Sequence, residues 1–352
     1  MQHFDLVIIG TGSGNSIPGP ELSHLRTAIV EDNLFGGTCL NVGCIPTKMF
    51  VHPAELADAA RHGRALGIDA QLNAVDWPRI RDRIFARIDA AEAAGRAYRE
   101  GPDCENVSVF AGHGRFTAPQ QLSISLHDGG TEVITGGKFV LAAGSRAVMP
   151  DIAGLSDPGV TAHTSDTIMR IDALPASIAI VGGGFIAAEF AHVFSSFGVA
   201  VTHIARGPAL LRNQDSDVSK LFTREVASRY EVLLDSTVER VTAGGPGVVL
   251  EVKGPHGCNT VAAELLLIAI GRRSNADNLA VGAAGIAVDD AGRVVVDEYQ
   301  RTSAEGIFAL GDVSSAHQLK HVANHEARVV RHNLVHPGSM MSADHRFIPA
   351  AV

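Results

Sequence analysis

Apolar and polar positions along the 352-residue chain fall into one arrangement twice. A strand-sized apolar run, a glycine-rich turn, a helix-like stretch and a second apolar run occur in order at Asp5–Ile9, Gly10–Asn15 and Arg26–Glu31. They recur at Ser177–Val181, Gly182–Ala187 and Val199–Ala205. Each set is the opening of a βαβ unit. The pattern predicts an α/β protein with two Rossmann-like, three-layer dinucleotide-binding domains. Between the repeats, Trp77–Glu100 carries Ile80, Ile84, Phe85 and Ile88 at helical spacing, with arginines opposite as a solvated face. Pro150 and Pro158 punctuate a linker. The strand-like run Glu264–Ile270 ends at Gly271, after which the chain crosses back, and the segment after His336 reads as loop. Residues 1–150 therefore form the first part of one domain, 151–275 an inserted second domain, and 276–352 the return to the first.

Composition changes this picture little. With 46% hydrophobic and 19% charged residues the chain is an ordinary globular protein. Its formal charge of −9, with no Lys/Arg-rich run, speaks against nucleic acid as a partner. No apolar run reaches the ~18–20 residues of a membrane helix, and Phe4–Ile9 begins a strand where a secretory signal would lie. A cytoplasmic protein without a membrane partner is expected. Four cysteines make no disulfide scaffold, so a close pair points to catalysis or metal binding.

Glycines at a strand-to-helix turn let the backbone approach a diphosphate, which the helix N-terminus holds with unpaired N–H groups. In the first turn Gly10, Gly12 and Gly14 follow an apolar strand, and Glu31 lies 21 residues after Gly10, where a carboxylate accepts ribose hydroxyls. Asn15 replaces the third glycine of the pattern, and Pro18, Gly19 and Pro20 interrupt the following helix, which should be short or kinked. The alternative to adenine-dinucleotide binding is a plain tight turn. The second turn holds Gly182, Gly184 and Ala187. Counting 21 residues on gives His203, not an acid, and Arg206 and Arg212 follow. Loss of the carboxylate and gain of two guanidiniums suit a 2′-phosphate, hence NADPH over NADH; otherwise the arginines are solvated surface residues.

The stretch Gly36-Gly37-Thr38-Cys39-Leu40-Asn41-Val42-Gly43-Cys44-Ile45-Pro46-Thr47-Lys48 is the most informative. Cysteines five apart in a regular helix are separated by a rise of ~7.5 Å, beyond the ~7 Å limit for a disulfide. A bridge needs a distorted turn, which Gly43 permits. Cys104 and Cys258 lack zinc-ligand spacing, and no metal is expected. Alone, the pair reads equally as two small buried hydrophobes; beside two dinucleotide turns, redox chemistry is the better reading.

This stretch resembles the active-site segment of the flavin-dependent disulfide reductases. Lys138–Leu141 with Ala142-Ala143-Gly144, Ile270-Gly271-Arg272-Arg273-Ser274-Asn275, and Gly306–Asp312 are similar to further motifs of that family, and the resemblance covers essentially the whole chain. Gly-Thr-Gly-Ser-Gly-Asn-Ser combined with Ile-Pro-Thr-Lys-Met-Phe most resembles the mycothione reductases.

The resemblance implies FAD in the discontinuous domain and NADPH in the inserted one, with a small-molecule disulfide as substrate. Cys44 would face the flavin, Cys39 would attack the substrate, and Lys48, paired with Glu189, would approach flavin N5. Gly37, Thr38, Ala143, Gly144, Gly311 and Asp312 would join the first turn in holding FAD. Phe185, Ile186, Gly271 and Arg272 would join the second turn in holding NADPH, with Phe185 as a gate. Lys320 and His321 are expected to offer backbone contacts only. A second reading is a flavoprotein oxidase or diaphorase; other disulfides, glutathione-like or lipoamide, are alternative substrates. The family's C-terminal dimerisation domain, with its His-Glu acid/base pair, is not recognised, so the family's homodimer and its proton donor are not expected of this chain alone.

Overall fold

A computed structural model describes residues 1–245 and 247–352. The described residues form six α-helices: α1 (Gly37–Asn41), α2 (Cys44–His62), α3 (Trp77–Glu100), α4 (Phe185–Ser196), α5 (Ser216–Val226) and α6 (Lys320–Val335). The chain divides into two compact units. One comprises Met1–Asn41, Ile88–Arg146 and Arg273–Ala351; the other comprises Val42–Arg87 and Ala147–Arg272. No described helix is long and apolar enough to cross a membrane.

In the first unit Gln2–Ile9 lies at the centre of a parallel sheet, between Thr27–Glu31 and Thr131–Leu141. The start of Val107–Ala118 extends one edge, and Ile307–Ala309 pairs with Thr131–Leu141 on the other side. An antiparallel meander through Gln121–Leu126 joins Val107–Ala118 to Thr131–Leu141. The central strand is buried on both faces: Phe4, Val7 and Ile9 pack into one apolar cluster and Leu6 and Ile8 into another. A run with no polar alternation is what a parallel strand covered on both sides requires.

The second unit repeats the plan. Ser177–Val181 lies between Ala200–Ile204 and Leu265–Ile268, with Glu231–Leu233 and Ala162–His163 at the edges, all parallel. Its antiparallel meander is Thr237–Gly244, Gly247–Gly254 and Gly257–Ala263.

The helix predicted after the first glycine turn is reduced to two 3₁₀ turns, Gly14–Ser16 and Pro20–Leu22. Pro18 and Pro20 are the reason, since each lacks an N–H donor. The predicted helix Trp77–Glu100 forms with its expected ends, and Ile84, Phe85 and Ile88 are buried. By contacts, residues 42–87 group with 147–272. Aromatic packing accounts for this grouping. Phe50 of α2 stacks on Trp77 at 4.9 Å, and Trp77 meets Phe194 and Phe197 at 6.1 and 6.3 Å. The Trp77 indole N–H also donates to the Ile171 carbonyl, at 2.8 Å.

Candidate functional site

The first glycine turn begins where the central strand ends. The Gly10 N–H donates to Val30 O at 2.8 Å, and the Ala142 N–H donates to Ile9 O at 2.8 Å. Gly10 has φ +101°, and a Cβ there would stand 2.3 Å from Ala142 O, so only glycine fits. The close-packing glycine proves to be Gly14 and not position 15: a Cβ on Gly14 would meet Ala142 Cβ at 2.7 Å and Ile8 Cγ2 at 3.1 Å. Asn15 instead accepts from Arg99, Nε to Oδ1 at 2.7 Å. Arg99 also reaches Pro18 O at 3.2 Å and is 7% exposed, so it is no part of a solvated face.

Glu31 ends the second strand. Its Oε2 accepts from Thr11 N–H at 2.7 Å and from the Thr11 hydroxyl, and its Oε1 accepts from Asn33 N–H at 2.9 Å. The Thr11 hydroxyl in turn accepts the Gly36 N–H at 2.8 Å. The carboxylate thus ties the turn to the segment that leads into Gly37, Thr38 and Cys39. At the far end of the chain, Leu310 N–H donates to Leu141 O at 3.0 Å, which sets Gly311 and Asp312 beside the Ala142-Ala143-Gly144 turn. The Ser145 hydroxyl donates to Asp312 Oδ2 at 2.7 Å.

The second unit reproduces these bonds. The Gly182 N–H donates to Ile204 O at 2.9 Å and the Ala269 N–H to Val181 O at 2.8 Å; a Cβ on Gly182 would lie 2.2 Å from Ala269 O. Position by position, Gly182 matches Gly10, Ile204 matches Val30, and Gly271 matches Gly144. The residue matching Glu31 is therefore Ala205, two places beyond the His203 reached by counting. His203 is fully buried, with its Nε2–H donating to the Gly182 carbonyl at 2.6 Å. The carboxylate is still absent from that position, while Arg206 and Arg212 are exposed. Phe185, the first residue of α4, is 48% exposed, and Ile186 is half-buried. Arg272 is mostly buried, 3.5 Å from Asp166 Oδ1 and 3.4 Å from Ser165 Oγ.

Cys39 and Cys44 are joined in a disulfide. Regular helix stops at Asn41 and resumes at Cys44, with Gly43 at φ −136°, ψ −127° between them. This break removes the spacing problem of a continuous helix. Cys44 is the first residue of the 19-residue α2, where unpaired N–H groups and the positive dipole end favour a thiolate. Pro46 is tolerated because the first turn leaves its N–H unused. One turn on, Lys48 forms an ion pair with Glu189 of α4, whose carboxylate is largely buried while the lysine is half exposed. Cys104 and Cys258 are free, one buried and one exposed. No described group of three or more His, Cys, Asp or Glu is placed to hold a metal ion.

Residues 4–327 match the pyridine nucleotide-disulphide oxidoreductases. The chain belongs to that family. It is 51% identical over 358 residues to mycothione reductase of Mycobacterium tuberculosis, covering 100% of this chain and 76% of that protein. It is 33% identical to dihydrolipoyl dehydrogenase of Mycobacterium bovis, covering 100% of this chain and 75% of that one. Among solved structures it resembles the HOCl-induced flavoprotein disulfide reductase RclA of Escherichia coli, with TM-score 0.82, 29% identity, and 97% and 73% of the two chains covered. As a pyridine nucleotide-disulphide oxidoreductase, the chain is an enzyme whose cofactors are FAD and a nicotinamide coenzyme and whose redox-active group is the Cys39–Cys44 disulfide.

The two turns fit such cofactors. Gly184 has φ −92°, open to any residue, and a Cβ there would meet nothing within 4 Å. At Gly12 the nearest atom would be Gly37 Cα, 3.9 Å away. Neither glycine is required by its own chain. Open space of this kind beside the backbone is what a cofactor diphosphate crossing a glycine turn requires.

Proposed function

We propose that this enzyme is an NADPH-dependent reductase of a low-molecular-weight disulfide, mycothione. The observation that carries the reading is the Cys39–Cys44 disulfide, with Cys44 at the head of α2 and the Lys48–Glu189 pair one turn behind it. The 51% identity to a mycothione reductase supports the choice of substrate.

Residues 1–150 and 276–352 are assigned to FAD. Gly10, Gly12 and Gly14 would face its diphosphate, Glu31 its adenosine ribose and Asp312 its ribityl hydroxyls, with Gly37, Thr38, Ala143, Gly144 and Gly311 lining the path. Residues 151–275 are assigned to NADPH, held at Gly182, Gly184, Ile186, Gly271 and Arg272, with Phe185 as the gate and Arg206 and Arg212 for the 2′-phosphate. The choice of NADPH over NADH follows from Ala205, which offers no carboxylate to repel that phosphate.

Bound NADPH and FAD would supply the two electrons. With these and one proton from solution the Cys39–Cys44 bond opens to one thiol and one thiolate. Cys39 attacks one sulfur of the substrate disulfide, passing its proton to the departing sulfur, which gives a mixed disulfide and a first thiol. Cys44, whose thiolate the head of α2 favours, attacks the Cys39 sulfur, re-forms the original bond and expels the second substrate sulfur as a thiolate, which takes a proton from solution. Lys48 adds positive charge on the same helix face, and Glu189 fixes its position.

Anaerobic titration of the full chain with NADPH tests the scheme. Two electrons should produce the long-wavelength absorbance of a thiolate against oxidised flavin, and turnover with mycothione should exceed that with glutathione disulfide or lipoamide. Bleaching of flavin without that absorbance would make the protein a diaphorase-like oxidase.

A further inference from the structure

Lys320 is the first residue of α6 and is half-buried. Its Nζ donates to Ser13 Oγ at 2.9 Å, and Ser13 Oγ donates to Asn324 Oδ1 at 2.8 Å. Lys320 and Asn324 lie one turn apart on α6, so together they fix the direction of the Ser13 hydroxyl. Ser13 stands between Gly12 and Gly14 in the first glycine turn and is 6% exposed. The side chain of Lys320 therefore delivers an ammonium to the turn whose open glycine, Gly12, calls for a diphosphate. Burial lowers the proton affinity of this amine, and the nearby Asp312 carboxylate works in the opposite direction. An ammonium carries three N–H donors, of which the Ser13 hydroxyl takes one. A cation brought out of water onto a neutral hydroxyl costs free energy, which a facing dianion would offset.

We propose that Lys320 is a cofactor-binding residue whose ammonium, held on Ser13, pairs with the FAD diphosphate. Nothing in the chain's spacing announces it, because Lys320 and Ser13 are 307 residues apart. The inference rests on the reading that the Gly10–Asn15 turn is the FAD turn. It assigns Lys320 a side-chain role in place of the backbone contact expected from sequence.

The test uses the full chain stripped of flavin and retitrated with FAD, for the parent, Lys320→Met, Lys320→Arg and Ser13→Ala. Lys320→Met should weaken FAD binding by about tenfold to a hundredfold, the loss of one charge-assisted contact. Lys320→Arg should recover most of it, and added salt should weaken the parent more than Lys320→Met. Ser13→Ala should lie between. The reduction potential of bound FAD should stay unchanged, because the diphosphate carries the same charge in both redox states. Equal FAD affinity in parent and Lys320→Met overturns the proposal. So does a shifted potential with unchanged affinity, which would move the contact to the flavin ring. A fall in melting temperature without rescue by arginine would make Lys320 a structural tie only. A parent that binds no FAD would remove the reading of the turn itself, a result distinct from equal affinities.

Discussion

Glu31 and Ala205 occupy the same place in two copies of one construction. Each follows the residue whose carbonyl accepts the N–H of the first turn glycine, Val30 for Gly10 and Ile204 for Gly182. One copy has a carboxylate there and the other a methyl group. On the proposed assignment, that difference is what would let the second turn admit a 2′-phosphate where the first takes free ribose hydroxyls.

Ala205→Asp should therefore shift coenzyme preference toward NADH, chiefly by weakening NADPH. Arg206→Ala and Arg212→Ala should each weaken NADPH by roughly tenfold to over a hundredfold, for ~1.5–3 kcal/mol per charge-assisted contact, and spare NADH. Dissociation constants for both coenzymes decide the matter. Equal losses for the two would show that neither arginine reads the phosphate.

Gly182 and Gly184 should respond oppositely to alanine. At Gly182 a Cβ lies 2.2 Å from Ala269 O at φ +142°, so Gly182→Ala should cost about 2–4 kcal/mol of stability. At Gly184 the space is open, so Gly184→Ala should melt like the parent yet lose at least about tenfold in coenzyme affinity. Denaturant midpoints beside coenzyme titrations would show it; unimpaired binding by Gly184→Ala would leave that glycine without a reason.

The Lys48–Glu189 pair joins helices from distant parts of the sequence. Because the lysine is half exposed, the pair contributes at most ~1 kcal/mol, so Glu189→Gln should slow flavin reduction by no more than about fivefold. Lys48→Met removes the charge itself and should slow it further. Stopped-flow absorbance with NADPH measures both; a Glu189→Gln defect larger than that of Lys48→Met would reverse the order of dependence.

Cys39→Ser should leave Cys44 as a free thiol at the head of α2. The positive helix end favours its thiolate, so a long-wavelength absorbance with oxidised flavin should then appear without reductant. Cys44→Ser should show none. The reverse pattern would exchange the two roles.

Burial lowers the proton affinity of His163, His192 and His203. Below about pH 6.5 the unfolded chain takes up protons that the folded one refuses, so stability should fall as pH drops through that value and be unaffected above it. For fully buried His203 the slope approaches ~1.4 kcal/mol per pH unit. His203→Ile, which copies the apolar residue at the matching position, Ile29, should flatten that part of the curve. Urea midpoints between about pH 5 and 7 provide the comparison, and an unchanged slope would mean that His203 ionises in place.

Most of this frame is legible in the sequence. Both glycine turns, the cysteine segment and the long helix are local patterns, and local patterns survive in sequence. What escaped was set by distance or by an unequal loop. Counting 21 residues stopped at His203 because the second unit reaches its strand end two residues later than the first. Arg99 looked solvated because its acceptors, Asn15 and Pro18, lie more than 80 residues away. The grouping of residues 42–87 with 147–272 is not legible because Trp77, stacked on Phe50, meets Phe194 and Phe197 only in three dimensions.

The interleaving of the two units also dictates an order of assembly. The strand Gln2–Ile9 is made before the rest of its sheet, which acquires Thr131–Leu141 much later and Ile307–Ala309 later still. The second unit has all its strands once Leu265–Ile268 is made. The first unit is therefore begun earliest and finished last, and its apolar central strand must be kept from other partners while some 300 residues are added. That makes slow, non-local closure the step of folding most exposed to aggregation.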